Sequence, residues 1–148
     1  MVLTVRTVNS RCILWYMNPD QISRLQAVVF RLLGRPFALR IMQNRRHLGG
    51  RCELNGAGLV LYAQSPGVRA YPMTLDRGWG SITLKTVKQG LSFIVLHEAA
   101  HGLSSRTLDV IPSEESADIL AVSVYNDLLS EGAWDRLEIA VQPLCACE

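Results

Sequence analysis

The sequence predicts a single α+β domain, residues 1–148, from three observations. The chain has 148 residues, a length that suits one domain, because two half-length cores would each be marginal. With 49% hydrophobic and 19% charged residues, the composition excludes a disordered chain. Strand-like runs fill the first half around one early helix, and helical periodicity fills the second half. Helices that cluster after strands are typical of the α+β class.

The first helix is predicted to begin near residue 19. Asn18 is a suitable N-cap and Pro19 suits the first helical position. Apolar residues then recur at helical spacing as far as residue 33, and Gly34 before Pro36 ends the pattern. We therefore expect an amphipathic N-terminal helix whose apolar side faces the core.

Short β-prone runs predict a mostly antiparallel sheet. The strand candidates are residues 2–8, 37–42, 51–54, 59–63 and 81–87. Two glycines within residues 55–58 predict a hairpin between the third and fourth candidates. Residues 64–80 are rich in turn-forming residues and predict a long surface loop, and residues 134–141 predict a last short helix.

Charge is distributed unevenly along the chain, although the formal net charge is only +2. Residues 1–77 hold eleven arginines against three acidic residues, whereas residues 78–148 hold four basic residues against ten acidic ones. A basic half of this kind can attract nucleic acid or an acidic protein partner. We favour a solvated surface that the other half of the fold balances, because no nucleic-acid-binding motif accompanies the arginines.

The four cysteines are too few and too scattered to predict a secreted disulfide scaffold. Cys145 and Cys147 form a C-x-C pair, but no second Cys/His pair is near enough in sequence to complete a tetrahedral site. No apolar run approaches the roughly 18 residues of a membrane span, and the first residues lack the pattern of a signal peptide. We expect a cytoplasmic protein with free thiols and no contact with a membrane.

The motif H-E-x-x-H at residues 97–101 carries the strongest functional signal. Four residues turn a helix by about 400°, so His97 and His101 share one face and their imidazoles can converge on one zinc ion. Glu98 is offset from that face, where its carboxylate can reach a water molecule at the metal. With three histidines and seven glutamates in the chain, shuffling would produce the motif in roughly 0.2% of sequences. The alternative is a helix whose histidines make only core hydrogen bonds.

Two histidines leave a catalytic zinc site incomplete, because such sites usually have three protein ligands and one open position. Ser104 and Thr107 stand where the metzincin motif would have Gly and His, which excludes that class. His47 is far upstream, whereas the acidic segment 114–118 follows closely and opens a predicted helix, 114–129. A carboxylate of this segment is the expected third ligand, although acidic residues in a first helical turn also stabilise the helix dipole.

Through these two motifs, residues 91–125 resemble the gluzincin metallopeptidases, in which H-E-x-x-H is followed by a helix bearing E-x-x-x-D. Glu114 and Asp118 have that spacing. The resemblance implies that Glu114, in preference to Glu115, binds zinc and that Asp118 hydrogen-bonds a ligating histidine. The short gap between the motifs is most similar to the minimal intracellular members, including the ImmA/IrrE-like regulatory peptidases. A small zincin-like domain is implied, with the N-terminal helix and the sheet packed on the motif helix and on the ligand-bearing helix.

The predicted function is therefore a zinc metallopeptidase that hydrolyses peptide bonds through a metal-activated water. His97, His101 and Glu114 would hold the Zn²⁺ ion, and Glu98 would be the general base. The predicted strand 81–87 precedes the motif helix, where zincins present an edge strand. A peptide or protein substrate is expected to add to this strand by β-augmentation.

Two alternatives stay open at this point. The zinc site could stabilise a regulatory or nucleic-acid/protein-binding module without proteolytic activity, or a zinc hydrolase could act on another bond, because the site chemistry does not name the scissile bond. The donor that stabilises the oxyanion is unassigned, with four candidates: His47, Arg69, Tyr71 and Arg106. Tyr125 lies about 16 Å along its helix from Glu114, so core packing is expected for it.

Overall fold

A computed structural model describes residues 4–7, 19–43, 47–56, 58–77, 80–107, 114–129 and 138–141. These residues form three helices and two sheets, which confirms the α+β class. The helices are α1 (Pro19–Leu33), α2 (Val87–Thr107) and α3 (Glu114–Leu129). The strands are β1 (Thr4–Thr7), β2 (Phe37–Gln43), β3 (Gly49–Asn55), β4 (Gly58–Ser65), β5 (Met73–Arg77), β6 (Gly80–Leu84) and β7 (Glu138–Val141).

The larger sheet has the strand order β1–β2–β4–β3. Strand β2 is parallel to both β1 and β4, and α1 makes the crossover that two parallel neighbours require. Strands β3 and β4 form the antiparallel hairpin predicted at residues 55–58, which closes with Asn55 opposite Gly58. The expectation of a mostly antiparallel sheet is wrong here, because two of these three pairings are parallel. Helix α1 connects β1 to β2, and β4 lies between β2 and β3 and is antiparallel only to β3.

The smaller sheet, β5–β6–β7, is antiparallel and corrects three predictions. Residues 64–80 are not one long loop, because β4 continues to Ser65 and β5 occupies Met73–Arg77. Residues 138–141 form a strand instead of a helix, because they pair with β6. Strand β6 consequently lies between two partners, so the segment predicted at 81–87 does not offer a free edge to a substrate.

Helix α1 has the predicted limits, although its expected N-cap, Asn18, lies outside the described residues. At its end, Gly34 has a φ angle of +63° and donates its backbone N–H to the carbonyl oxygen of Phe30 at 2.8 Å. This left-handed conformation is favourable for glycine and commonly ends a helix.

Helix α2 is the central element of the fold, and residues 89–100 are all buried. It packs against α1, α3, β3 and β4, as expected for a helix that is enclosed on all sides. The helix begins at Val87 because Thr86 Oγ1 accepts the N–H of Gln89 at 3.2 Å, while Gln89 Oε1 accepts the N–H of Lys85 at 2.6 Å. This arrangement is close to a capping box, and it ends the preceding strand at Leu84. In the described part of the chain, no helix combines the length and apolar character needed to cross a membrane.

The hydrophobic core lies between the larger sheet and the helices. Alternate residues of the two central strands contribute to it, namely Leu39 and Ile41 of β2 and Leu61 and Ala63 of β4, all fully buried. Tyr125 of α3 is also fully buried in this cluster, in agreement with the core role expected for it. The core fixes α2 and α3 side by side, and this contact positions the candidate site.

Candidate metal centre

Side chains of α2 and α3 bring three potential ligands around one point. The Nε2 atoms of His97 and His101 are 3.2 Å apart. Glu114 Oε2 lies 2.8 Å from His97 Nε2, and Glu114 Oε1 lies 3.2 Å from His101 Nε2. Ligand atoms about 2.0–2.1 Å from a tetrahedral zinc ion are roughly 3.3–3.4 Å from one another. The three side chains therefore fit one such ion after small outward adjustments.

Asp118 contacts the imidazole of His97 on the side away from His101 and Glu114. Asp118 Oδ1 lies 2.8 Å from His97 Nδ1, and the aspartate side chain is only 1% exposed. A carboxylate at Nδ1 places the proton on that nitrogen and leaves the lone pair of Nε2 directed at a metal. Asp118 therefore makes the contact that the gluzincin resemblance implied, one helical turn after Glu114 on the same face of α3.

Glu98 lies beside the three converging groups. Its Oε1 is 4.0 Å from His97 Nε2, compared with 2.8 Å for the nearer oxygen of Glu114. Glu98, His97 and His101 also form a compact group whose ligand atoms lie within 4.8 Å of one another. Glu114 is nonetheless the carboxylate closer to His97 Nε2, which leaves Glu98 offset from the common point.

The charges in this cluster alter the protonation of its members. Burial alone would lower the pKa of His97, but the hydrogen bond to Asp118 and the charges of Asp118, Glu98 and Glu114 outweigh it, so the pKa is raised. Burial raises the pKa of Glu98, helped by Glu114 and opposed by His97. The metal-free cluster therefore attracts positive charge, and metal binding would compete with protons for the same atoms.

Strand β3 forms a wall of the site next to Glu98. A side chain at Gly50 would place its Cβ 3.1 Å from Glu98 Cγ and too close to the Ile94 side chain and the Tyr62 carbonyl oxygen. Glycine at this position therefore lets the edge strand approach α2 closely. One turn along the helix, a Cβ at Gly102 would lie 3.3 Å from Cys52 Sγ.

Cys52 is close to the centre but has the properties of a packing residue. Burial raises its pKa to about 11, and the negative charge of Glu98 acts in the same direction. The group is therefore a neutral thiol at neutral pH, whereas zinc binds the thiolate. Neither Gly50 nor Cys52 was identified from sequence, because their proximity to α2 depends on how β3 pairs.

The structure does not bring the candidate oxyanion donors together at the centre, as far as their side chains are described. The Tyr71 hydroxyl hydrogen-bonds Ser65 and packs against Gly90, which precedes His97 by roughly 10 Å along the helix axis. His47 and Arg69 are exposed, and the side chain of Arg106 lies outside the described part of the structure. The donor therefore stays unassigned.

Arg77 is a further residue at the site, and sequence reasoning gave it no role. It ends β5, and its Nε lies 3.0 Å from Asp118 Oδ2. The segment 64–80 was predicted as a loop, so nothing in the sequence pattern indicated that this arginine would face α3. The hairpin of β5 with β6, which pairs Arg77 with Gly80, fixes its backbone.

The chain matches no known protein family, no curated protein and no solved structure. The molecule itself shows an α+β architecture in which a central helix and its neighbour bring His97, Glu98, His101 and Glu114 together. Within it, the group of His97, Glu98 and His101 could bind a metal ion.

Proposed function

We propose that this protein is a zinc-dependent peptidase with a zincin-like domain. The convergence of His97, His101 and Glu114 within 2.8–3.2 Å of one another carries the proposal. Two imidazoles and one carboxylate are a recurring ligand set for catalytic zinc that leaves a fourth position open. A bound zinc ion supplies Lewis acidity, which lowers the pKa of water and polarises a carbonyl group.

The donor set favours a transition metal, because magnesium and calcium prefer sites built entirely from oxygen ligands. Two histidines and one carboxylate also suit Fe(II), so the ligands alone do not select zinc. Glu98 favours hydrolysis, because a second carboxylate beside the centre, 4.0 Å from His97 Nε2, can exchange a proton with water. Zinc is therefore the metal we propose.

Glu98 acts as the general base in this proposal. Its carboxylate accepts a proton from the attacking water and later gives it to the leaving amine. The burial that raises the pKa of Glu98 makes the carboxylate a better proton acceptor near neutral pH. Because Gly50 has no side chain, the Glu98 side chain fits closely against β3. The close contact limits the positions that the Glu98 side chain can adopt.

We assign substrate binding to β3 instead of to the 81–87 segment. Among the described residues, β3 is one of the two edge strands of the larger sheet and packs on α2 beside Glu98, whereas β6 is paired on both sides. An edge strand presents unpaired N–H and C=O groups that an extended peptide can satisfy. A peptide along β3 would place its backbone near Glu98.

The test combines metal analysis with peptide hydrolysis. Protein purified without added metal should contain one zinc per chain and cleave members of a library of unstructured peptides. The Glu98→Gln variant should keep its zinc and lose at least about 100-fold in kcat, whereas the matched Glu115→Gln variant should behave like the wild type. Retained turnover in Glu98→Gln would refute the base assignment, and hydrolysis only of non-peptide esters would refute the peptidase assignment.

A second candidate function, a metal-stabilised nucleic-acid-binding module, is favoured by one surface feature. Arg40, Tyr62 and Arg51 lie in register across β2, β4 and β3, on the opposite face from Leu39 and Leu61. The guanidinium carbons of Arg51 and Arg40 are 4.2 Å and 5.7 Å from the Tyr62 ring centroid. Surfaces that bind single-stranded nucleic acid combine positive charge with aromatic rings on which bases stack.

Glu53 offsets part of this positive charge, because its Oε1 lies 3.3 Å from Arg51 Nε. The module would bind a single-stranded oligonucleotide with an affinity that falls steeply as salt is added. Loss of binding in Arg40→Gln and Arg51→Gln, together with no peptide hydrolysis by the wild type, would favour this candidate over the peptidase.

A further inference from the structure

We propose that Arg77 is a positioning residue of the metal centre and acts through Asp118. The inference rests on the proposed function, because it assumes that His97 binds a metal. Arg77 belongs to β5, outside both helices that supply the ligands, and neither sequence motif includes it.

The geometry forms a continuous chain of contacts from the smaller sheet to the centre. Arg77 Nε lies 3.0 Å from Asp118 Oδ2, and Asp118 Oδ1 lies 2.8 Å from His97 Nδ1. Each oxygen of the aspartate therefore faces a different partner. The N–H bond at Arg77 Nε is not aligned with Asp118 Oδ2 well enough for a hydrogen bond, so this contact is an ion pair.

Asp118 needs such a partner because its side chain is only 1% exposed. A buried carboxylate is costly unless an opposite charge or several hydrogen bonds compensate it. A histidine that binds metal is neutral, so it donates a hydrogen bond to Asp118 but supplies no full charge. Arg77, whose guanidinium is always protonated, supplies that charge.

The position of Arg77 suits this role. Its side chain is 33% exposed whereas its Nε is buried, so the side chain reaches inward from the surface. Its backbone is held at the end of a β-hairpin, with Arg77 opposite Gly80. A charge placed by a rigid element can hold the carboxylate in one orientation, and the carboxylate then holds the His97 ring.

The test measures zinc affinity, by competition with a chromophoric chelator, in the full chain. The variants are Arg77→Met, Asp118→Asn and the double variant, with Arg69→Met as a control for loss of one arginine. Arg77→Met should bind zinc about 10–100-fold more weakly, the range for partners that orient a ligand, and Arg69→Met should match the wild type. In the Asp118→Asn background, Arg77→Met should weaken binding by less than about threefold.

Each outcome separates the roles of the residues. Unchanged affinity in Arg77→Met would overturn this inference and leave the zinc site intact, whereas a wild type that binds no zinc would overturn both. An equal loss in the wild-type and Asp118→Asn backgrounds would show a structural role that does not act through Asp118. If Arg77→Met does not fold, Arg77→Gln and Arg77→Lys replace it. Arg77→Gln should bind zinc more weakly than Arg77→Lys, which keeps the positive charge. Equal zinc affinities of these two variants would overturn the inference.

Discussion

The proposed centre has two sides that differ in how firmly the fold holds them. The inner pair, His97 and Asp118, has side chains 6% and 1% exposed, and the two are joined by a hydrogen bond of 2.8 Å. The outer pair, His101 and Glu114, has side chains 19% and 73% exposed, and its members are 3.2 Å apart. Both pairs come from the same two helices.

The difference indicates that the inner pair is positioned by packing, whereas the outer pair depends on a bound ion. An exposed glutamate keeps its rotamer freedom, so a metal must compensate the entropy lost when the side chain is fixed. The inner aspartate is enclosed and loses no such freedom on metal binding. The exposed side of the centre, at His101 and Glu114, is consequently where water can reach it.

The largest predicted effect separates the two histidines. Both His97→Ala and His101→Ala should abolish stoichiometric zinc binding. His97→Ala should also destabilise the metal-free protein, because it removes the hydrogen bond between His97 and buried Asp118. The additional loss in the free energy of unfolding is about 1–3 kcal/mol, measured by urea denaturation with chelator present. Equal losses in the two variants would contradict the distinction between inner and outer pairs.

The next prediction concerns the outer carboxylate. Glu114→Gln removes a metal ligand from an exposed position, so zinc affinity should fall by more than the 10–100-fold typical of outer partners. The metal-free free energy of unfolding should stay within about 0.5 kcal/mol of the wild type, as for most surface substitutions. Isothermal titration and urea denaturation measure the two quantities, and Glu115→Gln is the matched control. If Glu115→Gln lost more zinc affinity than Glu114→Gln, Glu115 would be the metal ligand instead of Glu114.

A smaller effect is expected at the contact between β3 and α2. Gly50→Ala introduces a Cβ against Ile94 and Glu98, which should cost about 1–3 kcal/mol of stability through overpacking. Gly49→Ala is the control, because its Cβ would meet only Gln64 Nε2 at 3.8 Å, an ordinary contact. Thermal denaturation compares the two variants. Equal stability would show that β3 does not pack tightly beside Glu98.

The smallest predicted effect is a pH dependence of the metal-free protein. The pKa of His97 is raised above 6.5 in the folded state, so its contribution to stability is fully present below about pH 6.5 and is lost as the pH rises through the folded-state pKa. With chelator present, the wild type should therefore exceed His97→Ala in stability by more at about pH 6 than at about pH 9. A difference that grows with pH would contradict the direction of this shift.

The helices and their ligand spacing could be predicted from sequence because they depend on local patterns. The limits of α1 and α3 follow from apolar periodicity and from Gly34. The convergence of His97 and His101 follows from helical geometry alone. The local signal that starts α2 is Thr86 followed three residues later by Gln89, and it ends the preceding strand at Leu84 instead of at residue 87.

The features that the sequence did not reveal depend on tertiary pairing. Strand β5 is short and lies between turn-forming residues, so its identity as a strand follows from its pairing with β6. Residues 138–141 have an apolar pattern compatible with helix or strand, and their partner decides between them. The contacts of Gly50 with α2 and of Arg77 with Asp118 join segments distant in sequence, so no local pattern could predict them.

X-ray absorption spectroscopy of the zinc-loaded protein tests the central claim most directly. The account predicts two imidazole nitrogens and oxygen ligands at about 2.0–2.1 Å from zinc in the wild type, and no stoichiometric zinc in His97→Ala or His101→Ala. A sulfur ligand at about 2.3 Å, or a zinc environment unchanged in both His97→Ala and His101→Ala, would contradict it.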